Sequence, residues 1–259
     1  MRGSMGPSAI REVKHITDLS RAYRRHVHDE LSIAHVWAGS TLAWIQGREV
    51  PISGECLVLI APGVAHACNP DPGSGWNYTQ VLLDPGAWGD CLEGAYRVAS
   101  STSSLQAAFR RLRGQERGAD ASVAVVLAEL FPGAGGIPPV ERRHSAALRR
   151  VHDHLHAHLA TPLDLEDLRI VSRLSKYHLV RAFKEAYGLT PHAYHLNLRV
   201  NAAKRRLQEG EDLAAVALET GFCDQSHFTR VFARCVGMTP AVYRKLTAIP
   251  SKTPGRPRS

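Results

Sequence analysis

The chain has 259 residues, 44% of them apolar, which is enough for two domains with real cores; no apolar run approaches the roughly 20 residues of a membrane span. The formal charge of +8 is unevenly placed: residues 1–140 hold 12 Lys+Arg against 13 Asp+Glu, and residues 141–259 hold 20 against 11. A basic half joined to a neutral one is the electrostatic footprint of nucleic-acid binding, and no large amphipathic anchor speaks for a membrane surface instead.

Residues 21–84 read as β structure. Short runs rich in Ile, Val, Leu and Trp (Ser32–Trp37, Thr41–Ile45, Cys56–Ala61 and Tyr78–Leu83) alternate with turn signals such as Gln46-Gly47-Arg48 and Pro62-Gly63. Strands this short, at roughly ten-residue spacing, predict a sandwich or barrel. Ahead of the first run stands Arg25-His26-Val27-His28-Asp29-Glu30; if extended, it puts His26, His28 and Glu30 on one face. Gly54, Pro62-Gly63, His66 and Asn69 follow, and together these segments resemble the two motifs of the cupins, a β-barrel family. The resemblance implies a barrel over residues 10–100 with a pocket near His26, His28, Glu30, His66 and Trp44. Three imidazoles and a carboxylate can bind Zn²⁺ or Fe²⁺. However, Glu30 follows His28 more closely than in metal-binding cupins, so pocket or rim residues without a metal or other cofactor are expected. Trp37, Trp44, Trp76 and Tyr78 serve either a pocket lining or the core.

From residue 102 the period changes. Leu105, Ala108, Phe109 and Leu112 mark one helical face, and a second helix is expected at Ala121–Phe131. Residues 101–140 are thus read as a helical dimerisation segment ending in the breaker-rich linker Pro132–Pro139; packing of its helices on the barrel is the alternative. Residues 141–247 read as helices, and 248–259 as a basic, Pro-rich tail without fixed structure. In the first of these helices His152, His154, His156 and His158 form two i, i+4 pairs on different faces, which cannot share one ion.

The helical half contains a repeat. Arg181, Phe183, Gly188, Thr190, Pro191 and Tyr194 recur 49 positions later as Arg230, Phe232, Gly237, Thr239, Pro240 and Tyr243, with His178 and His227 on the same offset. Such a repeat marks one supersecondary unit used twice. In the second copy an apolar segment with Val216 and Ala217 stops at Gly221, and a new helix follows Asp224, which is placed to cap it. Phe228 and Phe232 face inward, while Gln225, Ser226, His227 and Arg230 fall off that face. Helix, glycine turn, helix is the helix-turn-helix pattern, whose second helix enters the DNA major groove. The first copy has a buried stripe of Leu179, Phe183 and Tyr187 and an outer one of Tyr177, Val180, Arg181 and Lys184. Thr-Pro after each unit starts another helix. The one from Pro191 to Glu209 spans about 28 Å, close to the ~34 Å between successive major-groove faces.

Residues 145–246 resemble the AraC/XylS-type DNA-binding domain, carried by Gly188-Leu189-Thr190-Pro191, Ala203, Leu207, Val216-Ala217, Gly221-Phe222, Gln225–Arg230 and Gly237-Met238-Thr239-Pro240. The resemblance implies base or backbone contacts from Tyr177, Val180, Arg181 and Lys184, then from Gln225, Ser226, His227 and Arg230. The first copy departs from the pattern. Arg169 stands where the second copy has Ala217, and Arg173 where it has Gly221. An arginine packed between helices would splay the unit unless its head reaches water.

The expected fold class is therefore a two-domain α and β protein: an N-terminal cupin-like β-barrel with flanking helices and a C-terminal all-α domain with two helix-turn-helix units. The expected function is a sequence-specific transcription regulator controlled by a small-molecule effector in the barrel. The implied partners are double-stranded DNA at a tandem site, RNA polymerase and a second copy of the chain. A cytoplasmic location is expected, since the N-terminus has no apolar signal-peptide core and the five cysteines contain no CxxC. The rival is a metal-dependent cupin enzyme tethered to a DNA-binding domain. A DNA-repair methyl acceptor would need a zinc-bound cysteine set, and Cys56, Cys68 and Cys91 lack its spacing.

Overall fold

The computed structural model describes residues 10–19, 24–84, 96–113 and 145–247. The expected helix at 121–131, the linker, Cys91 and the tail lie outside these residues.

The front domain is built from two antiparallel sheets. Five strands, β1 (Ile10–Leu19), β2 (Leu31–Ala38), β5 (Cys56–Ile60), β7 (Trp76–Leu83) and β8 (Tyr96–Ser100), lie in the order β1-β7-β2-β5-β8. Three more, β3 (Ser40–Ile45), β4 (Arg48–Ser53) and β6 (His66–Ala67), lie in the order β4-β3-β6. The four expected runs are β2, β3, β5 and β7; β1 and β8, on the two edges of the larger sheet, escaped the sequence reading.

The register sorts side chains by face. Lys14 pairs with Gln80, Gln80 with Ala34 and Ala34 with Val58 across the large sheet; Ile16, Tyr78 and Val36 form the rung beside it. These even-numbered positions share one face. On the opposite face His35 lies 5.2 Å from the ring of Phe109 in helix α1 (Ser103–Arg113). Leu105, Ala108, Phe109 and Leu112 are all buried in the same core as Leu57, Leu59 and Val81. The apolar stripe of α1 is thus covered by its own barrel, the alternative weighed for these helices, because the sheet offers it an apolar face at once.

The rest of the chain is seven helices among the described residues: α2 (Ala146–Ala157), α3 (Leu165–Ser172), α4 (Lys176–Tyr187), α5 (Pro191–Gln208), α6 (Leu213–Glu219), α7 (Gln225–Val236) and α8 (Pro240–Thr247). Helices α3–α4 and α6–α7 are the two helix-turn-helix units, joined by α5. The caps expected from sequence are made: Thr190 Oγ1 accepts from Ala193 N, Thr239 Oγ1 from Val242 N, and Gly188 and Gly237 close their helices at φ 77° and 84°. Leu148, Val151, Leu168, Leu179, Phe183 and Tyr194 form the core of the first unit together with Val27 and Ala65 of the front domain. Val216, Ala217, Phe222, Phe228, Phe232 and Tyr243 form that of the second.

Candidate functional site

Both recognition helices present the expected outer face. Helix α4 begins at Ser175, whose Oγ accepts from His178 N at 3.4 Å; α7 begins at Asp224, whose carboxylate accepts from His227 N at 2.6 Å. Tyr177 is 79% exposed, and Arg181, Lys184, Gln225, Ser226 and Arg230 are exposed as well. Val180 and His227 are half-buried. His227 leans back towards the turn, its Nδ1 3.3 Å from Cys223 Sγ and its ring 5.6 Å from that of Phe222. Tyr187 is half-buried and stacks on Phe183 and on His152.

The turns differ. Arg173 holds the left-handed position at φ 60°, as Gly221 does at φ 82°. A Cβ on Gly221 would lie 2.5 Å from the carbonyl oxygen of Ala160, so only glycine fits there. Arg169 does not pack between the helices: it is exposed, and its Nε donates to Glu166 at 2.5 Å, a carboxylate that also meets Lys176 Nζ at 3.0 Å. Of the two outcomes expected for Arg169, a splayed unit or a head that reaches out, the second is seen.

Two arginines that the sequence reading passed over hold these turns. Arg199, 7% exposed on α5, donates to Leu159 O at 2.8 Å, Gly221 O at 2.6 Å and Thr161 O at 2.7 Å. Arg150 on α2 donates to Val171 O at 2.9 Å and Ser172 O at 3.5 Å. They stand 49 residues apart, the spacing of the repeat, and that offset was the signal available in the sequence.

The front domain sits on α5. Val27 N donates to Asn197 Oδ1, Asn201 Nδ2 donates to Val27 O, and Arg205 pairs with Asp29 at 2.8 Å. The second unit is reached as well, since Tyr243 OH donates to Glu12 at 3.2 Å. Between the sheet and the helices lies a cavity of about 100 Å³. Its walls come from the even-numbered face of the large sheet, from His26, His28 and His66, from Asn197, Val200, Asn201 and Lys204 of α5, and from Cys235 and Val236 at the end of α7. Lys14, Cys68, Trp76 and Tyr78 line it too.

Of the pocket residues expected from sequence, His26, His28 and His66 are brought together, with ring centroids 4.3–6.2 Å apart. Each Nδ1–H donates to a backbone carbonyl, of Arg24, Glu30 and Val64 respectively. Burial, reinforced by the neighbouring rings, holds His26 and His28 well below the usual imidazole range, and burial takes His66 to about 4. All three are therefore neutral near pH 7. Glu30 is buried, but its carboxylate turns to Lys204 Nζ at 3.9 Å and it does not line the cavity. Nor does Trp44 line it. This side chain is covered by the first helical unit, with Gly188 against it and Arg25 stacked on its ring at 3.9 Å. Among the described residues no three His, Cys, Asp or Glu side chains are placed to hold a metal ion, so the donor set of a metal-binding cupin does not fit. In α2, His152 pairs with His156 and His154 with His158, as the spacing predicts. None of the helices among the described residues is long and apolar enough to cross a membrane.

The chain matches the family model for an AraC-like ligand binding domain over residues 14–131 and a helix-turn-helix domain model over residues 171–246. It is similar to the uncharacterized HTH-type transcriptional regulator YbfI of Bacillus subtilis, with 28% identity across 81% of this chain and 82% of that one. It is also similar to the MmsAB operon regulatory protein of Pseudomonas aeruginosa, with 27% identity across 85% and 77%. Among solved structures, ToxT of Vibrio cholerae with an unsaturated fatty acid bound superposes with a TM-score of 0.61 at 12% identity, over 95% of this chain and 98% of that one. With a ligand-binding domain in front and a double helix-turn-helix domain behind, the chain belongs to the AraC family of DNA-binding transcription regulators.

Proposed function

We propose that this regulator grips a tandem site through two neighbouring major grooves and that a small molecule in the cavity under α5 tunes the grip. Tyr177, Val180, Arg181 and Lys184 contact one groove, and Gln225, Ser226, His227 and Arg230 the other. Arginine pairs with guanine and glutamine with adenine, so Arg181, Arg230 and Gln225 are the base readers, and Lys184 holds phosphate. The observation that carries the reading is that α5 both joins the two units and walls the cavity. An occupant there touches the element that sets their relative placement, which gives it the means to favour one placement over another. ToxT, which shares the fold, has been crystallised with an unsaturated fatty acid bound, and this supports a small-molecule occupant here. The regulator acts in the cytoplasm as a homodimer in contact with RNA polymerase, and not as an enzyme. The apolar face of α1 is spent on the barrel, so that face is not part of the dimer surface.

A mobility-shift titration tests this. Binding to a direct-repeat site selected from a random duplex library should be tight and should weaken steeply with salt. Equal affinity for random duplex sinks it. Arg230→Ala should relax base preference at one position of the distal half-site.

A further inference from the structure

The lining of the cavity is chemically mixed. Two ammonium groups, Lys14 on β1 and Lys204 on α5, line it, while their carboxylate partners Glu12 and Glu30 lie behind the lining. The separations are 3.5 Å for Lys14 to Glu12, 3.7 Å for Lys204 to Glu12 and 3.9 Å for Lys204 to Glu30. All exceed the roughly 2.7–3.2 Å of a good N–H···O bond, so the carboxylates balance the charge without taking up all the N–H donors. Tyr78, on the neighbouring rung, and Trp76 beyond it line it as well, with ring centroids 6.1 Å apart. Val58 lines the wall on the rung of Lys14 and Val36 on that of Tyr78.

Two of the lining residues carry a buried polar atom without a partner. His28 Nε2 and Trp76 Nε1 are buried and have no hydrogen-bond partner, although His28 and Trp76 are 5% and 2% exposed. Because His28 spends its Nδ1–H on Glu30 O, its neutral ring can only accept at Nε2. Buried polar atoms left unpaired cost free energy, and a ligand that pairs them recovers it. The volume of about 100 Å³ admits on the order of ten non-hydrogen atoms, taking about 10–15 Å³ for each water-sized centre.

Resting on the reading of this cavity as the effector site, we infer that the effector is a compact hydroxycarboxylate with an apolar or aromatic body. Its carboxylate accepts from Lys14 and Lys204, its hydroxyl donates to His28 Nε2, and its body lies against Tyr78 and Trp76. A neutral ligand would leave without an anionic acceptor the N–H donors that Glu12 and Glu30 do not take up, and the volume matches a compact body better than a long acyl chain. The class therefore differs from the fatty acid held by ToxT. Lys204 and Val236 wall the same cavity, so this ligand would touch the helix joining the two units and the end of the second reader at once.

Calorimetry on the full chain tests the inference, with mandelate, salicylate and lactate as probes beside their primary amides, phenylacetate as the partner of mandelate lacking the hydroxyl, and palmitoleate as the long chain. At least one hydroxy acid should bind about tenfold or more tightly than its amide. Lys14→Gln should erase that difference and Lys14→Arg restore part of it, with thermal melts confirming folding. His28→Phe should erase any preference for mandelate over phenylacetate. Amides that bind as well as acids, preferential binding of palmitoleate, or no acid-selective binding across the panel overturns the class. Ala34→Phe, which fills the cavity, separates the two levels: amide binding abolished by it leaves the cavity as effector site but removes the hydroxycarboxylate, whereas acid binding indifferent to it removes the cavity itself.

Discussion

The two helix-turn-helix units share a recognition-helix frame but are anchored in different ways. The first is welded to the barrel by apolar packing: Val27 and Ala65 belong to its core, and a Cβ on Gly188 would come within 2.6 Å of Ala65 Cβ. The second has a core of its own and meets the barrel through polar contacts and the cavity wall. Its turn is pressed against Ala160 and tied down by a buried arginine, while the turn of the first is held by an exposed one. Apolar packing fixes a position without a switchable partner, whereas polar contacts around a cavity change with its occupant. On the proposed function, the first unit is then expected to be the fixed reader and the second the adjustable one.

Substitutions at matched positions can break this contrast. The largest expected effect is at the buried guanidinium. Arg199→Ala strands three carbonyls and should cost about 4 kcal/mol in urea denaturation, whereas Arg150→Ala, exposed, should cost about 1 kcal/mol. Equal losses would mean that the turns are held alike. Next, Gly221→Ala should destabilise by about 3 kcal/mol through its clash with Ala160, while Arg173→Gly should be neutral or gain up to about 1 kcal/mol. On DNA, Arg181→Ala and Arg230→Ala should each cost about 1–3 kcal/mol at their own base pair. Saturating effector should change the penalty for Arg230→Ala more than that for Arg181→Ala in mobility shifts; the reverse order would make the first unit the adjustable one. The smallest effect is expected at the caps. Asp224→Ala, losing a 2.6 Å charged cap, should lower the melting temperature more than Ser175→Ala, which loses a 3.4 Å neutral one.

The helical half was legible because its signals are local. Caps, Thr-Pro starts, glycine stops and the period of apolar residues are all written within a turn or two of the residue they govern, and the repeat states them twice. Arg169 shows the limit: its position in the repeat implied a packed arginine, but Glu166, three residues away, draws it outward. The front domain was harder to read. Strand β1 escaped because it carries charges on its inward side, with Glu12 buried and Lys14 lining the cavity, which inverts the apolar-inside alternation that marks a half-buried strand. Trp44 was assigned to the pocket, yet β3 turns Ala43 and Ile45 into the barrel and leaves Trp44 on the outer face for the helical domain to cover. Nothing near residue 44 encodes that cover, which arrives from residue 188.

By itself the sequence determined the family, the order of the two domains, the two recognition helices and the side chains they expose, since each follows from short-range spacing and charge. Only the tertiary structure decided that Lys14, His28, Trp76 and Lys204 share one cavity, that the face of α1 is spent on its own barrel, and that the two readers are anchored unequally. The physical reason is that burial and pairing between residues 192 positions apart, such as Glu12 and Lys204, depend on how the sheet and α5 are placed together, a choice no local period records.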